Sequence, residues 1–126
     1  MIQIANGMKQ LRKHSIVHRD LKPHNFLLSD NSDTPIIKIA DFGFAKRKNE
    51  SEQEELYETL CGTPMYMAPE IHNGMKYTEK ADLWSIGVLL YEMVTGKPPF
   101  PGKNLLDLRQ RIHEGKYTLQ KGIKLS

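Results

Sequence analysis

The sequence predicts an α+β fold that is mainly helical. Three stretches carry apolar residues at helical spacing, and three short apolar runs lie between polar turns. Met1, Ile4, Ala5, Met8 and Leu11 place an amphipathic helix over residues 1–13, which starts without a capping residue. Ile16-Val17, Phe26-Leu28 and Ile36-Ile39 read as short strands. Residues 46–60 open on Lys46-Arg47-Lys48-Asn49-Glu50 and offer little to a core, so a mobile loop is expected there. The most hydrophobic helix runs from Thr78 to Thr95. Leu83, Ile86, Gly87, Leu90 and Val94 make one face and Trp84, Val88 and Tyr91 another, which predicts a helix buried all round. Gly96-Lys97-Pro98-Pro99 stops it. Asn104 then caps a second amphipathic helix, carrying Leu105, Leu108 and Ile112 and ending at Gly115.

Composition narrows the functional class. The 126 residues suit one domain, with no internal repeat and no linker. Apolar residues make up 39% and charged residues 26%, a balance that fits a globular chain and argues against a disordered one. The net charge of +3 is compatible with an anionic ligand, but no run of five or six basic residues points to nucleic acid. One cysteine, Cys61, allows no internal disulfide and suits a reducing compartment. With no apolar stretch of membrane length and no signal-peptide layout, the expected location is the cytoplasm.

The chemistry is carried by three ordered motifs. His18-Arg19-Asp20-Leu21-Lys22-Pro23-His24-Asn25 comes first, Asp41-Phe42-Gly43 follows, and Ala68-Pro69-Glu70 closes the series. Asp20 alone would read as a turn residue capping backbone N–H groups. Taken together, the motifs resemble those of eukaryotic protein kinases. The resemblance implies transfer of the ATP γ-phosphate to a protein hydroxyl, with ATP and Mg2+ as cofactors. Such a reaction needs a carboxylate for the acceptor hydroxyl and oxygen ligands for magnesium; Asp20 fits the first role, and Asn25 and Asp41 the second. Lys22 would steady the γ-phosphate, and a lysine there resembles serine/threonine kinases. His18 and Phe42 would pack, and Asp82, an acid in an apolar helix, would accept backbone hydrogen bonds from the loop around Asp20.

Regulation is implied in the same way. Arg19 and Lys46 match two cations that bind a phosphorylated residue, which would carry a charge near −2 and order the intervening segment. Thr59 has the matching position. Thr63, in Gly62-Thr63-Pro64, instead resembles the threonine that contacts the catalytic aspartate and lysine.

Other family features are absent from these residues. The nine glycines, at 7, 43, 62, 74, 87, 96, 102, 115 and 122, form no G-x-G-x-x-G, no Val-Ala-Ile-Lys strand occurs, and only seventeen residues precede His18. The expectation is a partial protein kinase domain over residues 1–126, the helical C-terminal lobe only. The N-terminal lobe would be absent and the C-terminal end truncated, so that Glu70 lacks its usual arginine partner. Such a chain would be inactive alone. Within the kinases, Ala40-Asp41-Phe42-Gly43-Phe44-Ala45-Lys46, the run from Leu60 to Glu70, and the run from Lys80 to Gly87 resemble the ULK/ATG group, which initiates autophagy. Implied partners are protein substrates with Ser/Thr acceptors, together with regulatory subunits. His24 departs from the glutamate with which many kinases bind substrate arginine, although Glu92 matches a second such acid. The alternatives are a non-catalytic binding module and a calcium/calmodulin-dependent-like kinase.

Overall fold

The computed structural model describes residues 2–47, 62–76 and 78–118. In chain order its elements are α1 (Ile2–Lys13), β1 (Ile16–Val17), β2 (Phe26–Leu28), β3 (Ile37–Ile39), β4 (Lys46–Arg47), α2 (Pro69–His72), α3 (Lys80–Thr95) and α4 (Leu105–Glu114). Two 3-10 turns, Pro23–Asn25 and Pro64–Tyr66, complete the set. Helices dominate and the strands form two small antiparallel sheets, β1 with β4 and β2 with β3. The mixed, mainly helical class expected from periodicity is the observed one.

α1 buries Ile4 and Leu11 and carries Arg12 and Lys13 in its last turn, where cations complement the helix dipole. It is stitched to the second sheet by Gln3, whose Oε1 accepts from the Ile37 N–H at 2.6 Å and whose Nε2 donates to the Pro35 carbonyl at 3.1 Å. At the other end of the chain, the Asn104 side chain accepts from the Asp107 N–H at 2.9 Å, capping α4 as its sequence predicts. Gly115, at φ +63°, ends that helix with its N–H on the Arg111 and Ile112 carbonyls.

Three sequence expectations change. β3 begins at Ile37, because the Ile36 N–H goes to the Ser29 hydroxyl. Lys46 and Arg47, expected in a loop, pair with Val17 and Ile16. Pairing uses backbone groups only, so polar side chains facing water gave no sign of it. Residues 48–60, the remainder of that expected loop, lie outside the described residues. Finally, α3 begins at Lys80 and is buried on one face only, through Ala81, Asp82, Ser85, Val88 and Leu89. Leu83 stays 62% exposed and Val94 45%. Their side of the helix lines an open apolar groove of about 510 Å³, bounded also by Leu90, Phe100 and Tyr117.

The core has two clusters with one side chain between them. Val17, Met67, Ala68, Ile71 and Ala81 form the first; Tyr66, Val88, Phe100, Leu108 and Ile112 form the second. Trp84 packs on both, its ring stacked on Phe100 with centroids 5.7 Å apart. Through these clusters α3 fixes β1, the segment around Tyr66, α2 and α4. Of these, β1 leads into the loop of Asp20, and the segment around Tyr66 leads from Thr63 into Ala68-Pro69-Glu70.

Candidate active site

β1 delivers the chain to His18, and α3 receives it. The Asp82 carboxylate, buried in the first turn of α3, accepts from the His18 N–H at 2.8 Å and the Arg19 N–H at 2.9 Å. Burial pushes the Asp82 pKa up, opposed by those two N–H bonds and by the charge of Arg19. Between them Arg19 adopts φ +69°, a left-handed conformation that is costly for a non-glycine residue. Asp82 therefore holds a bend that the backbone would not choose. The next residue is Asp20.

His18 ties this bend to the second motif segment. Its fully buried ring reaches the Ala40 carbonyl through Nε2 at 3.0 Å, and its Nδ1 accepts from the Asp20 N–H at 3.4 Å. The two contacts together assign the ring proton to Nε2. Phe42 packs on the same ring at 5.0 Å between centroids.

Three side chains converge on the Asp20 carboxylate. Lys22 Nζ donates to Oδ2 at 2.8 Å, Thr63 Oγ1 donates to Oδ1 at 3.0 Å, and Asn25 Nδ2 reaches Oδ2 at 3.3 Å. Lys22 also donates to Thr63 Oγ1 at 3.1 Å, closing a triangle. Burial works to raise the Asp20 pKa, but the hydrogen bonds of Lys22, Thr63 and Asn25 and the Lys22 charge outweigh it and hold the carboxyl below its ordinary value. Asp20 is thus a buried carboxylate kept ionised.

Asn25 and Asp41 are brought together by the β2–β3 pair. Phe26 lies opposite Ile39, and the Ala40 N–H donates to the Asn25 carbonyl at 2.8 Å, so Asp41 follows directly on a residue bonded to Asn25. Asn25 is buried and spends its amide N–H on the Asp20 carbonyl at 2.7 Å, which turns its amide oxygen away from that bond. Asp41 is exposed, at φ +61°, and its Oδ1 accepts from the Gly43 N–H at 3.3 Å.

Arg19 and Lys46 also lie close in the fold. Arg19 Nε donates to the Phe44 carbonyl at 2.6 Å, and Lys46 sits opposite Val17 across the β1–β4 pair. Thr59 lies outside the described residues. Glu70 makes no ion pair among the described residues.

Several residues around the site carry no sequence signal strong enough to single them out. Gly62 has φ +105°, and a Cβ there would lie 2.6 Å from the Arg19 carbonyl oxygen, so only glycine allows Thr63 this approach to Asp20. Ser85 Oγ donates to the Tyr66 carbonyl at 2.8 Å, and Tyr66 Oη donates to Glu92 at 2.5 Å. Gly62 sits between two motifs, and its left-handed φ shows only in the fold. Ser85 and Tyr66 act through contacts that only the packing creates.

Comparison with known proteins gives this geometry a lineage. The sequence pattern of the protein kinase domain matches residues 1–124. The chain belongs to the protein kinase family. It is 52% identical over 119 residues to the serine/threonine-protein kinase atg1 of Dictyostelium discoideum, with 94% of this chain and 17% of that protein covered. Identity to serine/threonine-protein kinase ATG1a of Arabidopsis thaliana is 51% over 112 residues, covering 89% of this chain and 17% of the relative. With atg1 of Schizosaccharomyces pombe it is 44% over 133 residues, covering 94% and 16%. The lineage is therefore that of the ATG1 group of serine/threonine kinases, and the chain spans about a sixth of the length of these curated relatives.

Proposed function

We propose that the protein carrying this chain is a serine/threonine kinase that moves the ATP γ-phosphate to protein hydroxyls. The observation that carries the reading is the ionised Asp20 carboxylate, buried yet bounded by Lys22 and Thr63. Asp20 would accept or orient the proton of the substrate hydroxyl as that oxygen attacks phosphorus. Lys22, 2.8 Å from Asp20, would place its ammonium beside the transferring phosphoryl group and stabilise charge moving toward the acceptor. Thr63 Oγ1, bonded to both, would set the wall against which the acceptor residue rests.

The donor set fits magnesium. Asn25 offers an amide oxygen and Asp41 a carboxylate, both hard ligands, at neighbouring places on the β2–β3 pair. When bound, the ion neutralises phosphate oxygens. Two protein oxygens suit a site completed by nucleotide phosphates and water. Arg19 and Lys46, with a phosphorylated Thr59, would form the regulatory contact.

Residues 1–126 supply the helical lobe in this reading, as a partial kinase domain. They lack a Gly-rich loop and its lysine partner, so alone they should not turn over. The ATG1 lineage supports autophagy as the setting, protein substrates and regulatory subunits as partners, and a cytoplasmic location. No described helix is long and apolar enough to cross a membrane. The test is labelled ATP with magnesium and paired peptides that differ only in a Ser or Tyr acceptor, using the complete protein. Transfer to Ser and not Tyr is expected; transfer to Tyr alone, or to neither, would refute the reading.

A further inference from the structure

We propose that His72 is a positioning residue: its ring N–H fixes the Pro64 carbonyl and so holds Thr63 against Asp20 and Lys22. The inference rests on the kinase reading above. Thr63 must meet both Asp20 Oδ1 and Lys22 Nζ, at 3.0 and 3.1 Å, yet it stands at the start of a short 3-10 turn with no side-chain cap on that turn. Its neighbour Pro64 has no N–H with which to anchor the backbone. Pro64 can be held only through its carbonyl and its ring.

Two donors reach that carbonyl. The Met67 N–H closes the turn at 3.3 Å, a local bond that does not tie the turn to the rest of the fold. His72 Nε2 lies 2.8 Å away and comes from α2, eight residues on. The ring is 6% exposed. A carbonyl only accepts, so Nε2 carries the proton. Burial disfavours the imidazolium form, and the nearby Arg109 charge adds to that against the pull of the Pro64 bond. A neutral ring has one N–H, and this carbonyl takes it.

The turn then has two outside pins. His72 holds the Pro64 carbonyl from α2, and Ser85 holds the Tyr66 carbonyl from α3. Only the first acts on the residue next to Thr63. Upstream, Gly62 lies so close to the Arg19 carbonyl that a Cβ there would sit 2.6 Å from its oxygen. His72 supplies the constraint downstream. Its absence would let Thr63 move relative to Asp20 while Asn25 and Asp41 stay where the β2–β3 pair puts them. Misplacement of about 1 Å in such a constellation can cost about a hundredfold in rate.

The test compares His72→Phe, which keeps a ring and loses the donor, with His72→Gln, whose amide N–H can reach the same carbonyl. Both are measured in the complete protein, alone and with Thr63→Ala, beside Asp20→Asn as a control on the kinase reading itself. His72→Phe should lower kcat for a Ser peptide about 10- to 100-fold with the KM for ATP unchanged. His72→Gln should recover most of that loss, and His72→Phe should add little once Thr63 is alanine. The proposal is overturned if His72→Phe matches the parent, if His72→Gln is as impaired as His72→Phe, or if the loss is as large without Thr63. Should His72→Phe fail to bind nucleotide, His72→Gln decides: near-parental turnover supports the role, and lost turnover with ATP binding intact refutes it. An active Asp20→Asn variant would instead sink the underlying kinase reading.

Discussion

The carboxylate of Asp20 is held by Lys22, Thr63 and Asn25, whereas that of Asp41 accepts a 3.3 Å bond from Gly43 and faces water. The first belongs to the acceptor half of the proposed site and the second to the nucleotide half. Around Asp20 the backbone is clamped by Asp82 and the facing turn by His72 and Ser85. Around Asp41 the geometry is set by the left-handed backbone, the Gly43 N–H, the contacts of Ala40 with Asn25 and His18, and the packing of Phe42 on His18. In the proposed site, the chain would preorganise hydroxyl chemistry from its own side chains. Phosphate chemistry would be left to be completed by groups that bind the exposed oxygens.

Substitutions in the two halves should therefore fail differently. Asp41→Ala should lower the rate sharply without loss of fold. In the complete protein it should cost about 100-fold or more in kcat, since oxygen ligation of the ion is lost. Its exposed side chain supports no packing, so stability should fall by no more than about 1–2 kcal/mol, the cost of an alanine in the left-handed region. Turnover and a denaturant melt check both parts. A collapse of stability would mean that the nucleotide half is as structural as the acceptor half.

Asp82→Ala should fail by the opposite route. It leaves the buried His18 and Arg19 N–H groups without their acceptor, at about 1–3 kcal/mol each, with Arg19 already at a strained φ. Urea denaturation should show a loss on the order of 2–6 kcal/mol, enough to unfold a marginal domain. An unchanged melting curve would show that the bend around Asp20 holds itself.

A smaller, several-fold effect is expected for the regulatory pair. Phosphorylation of Thr59 should raise activity and Thr59→Ala should lower it, with Arg19→Ala removing most of the gain, because a dianionic phosphate can bridge Arg19 and Lys46. Thr63→Ala should instead impair turnover before and after phosphatase treatment alike. Equal activity of Thr59→Ala and the parent, with phosphatase changing neither, would leave Thr59 as a plain loop residue.

The smallest effect lies in the pH dependence of stability. Burial raises the folded pKa of Asp82 above its ordinary 3.8 despite the N–H bonds of His18 and Arg19. Between those two values the folded state binds more protons than the unfolded one, so stability falls as pH rises through the folded pKa. Asp82→Asn cannot ionise and should remove that slope. Urea midpoints from about pH 4 to about pH 7 read it out directly. A variant with the same slope as the parent would place the ionisation elsewhere, since the rise contributed by buried His72 is common to both.

How far the sequence alone reaches follows the same division. Asn104 and Gly115 bracket α4 because capping chemistry is local, and the periodicity of residues 1–13 marks α1 for the same reason. The motif residues Asp20, Lys22, Asn25, Asp41 and Thr63 were legible as a set because their spacing is shared across a family. β4 was not, since its Lys46 and Arg47 pair only through backbone groups. The half-exposed α3 was misread because an apolar helix looks the same whether its second face is covered or open. His72 and Ser85 were invisible for a third reason. Each makes one hydrogen bond to a carbonyl, and no residue pattern announces which carbonyl folding brings within reach.

If Asp20 is the group against which the acceptor hydroxyl reacts, removing its charge should remove turnover and leave the fold in place. Asp20→Asn keeps the size of the side chain and a hydrogen-bonding partner for Lys22 and Thr63, but cannot take a proton. Turnover of a Ser peptide by the complete protein should drop about 10²- to 10⁴-fold from an ordinary kinase rate of roughly 1–100 per second, with nucleotide binding retained. Near-parental turnover by Asp20→Asn would contradict the account.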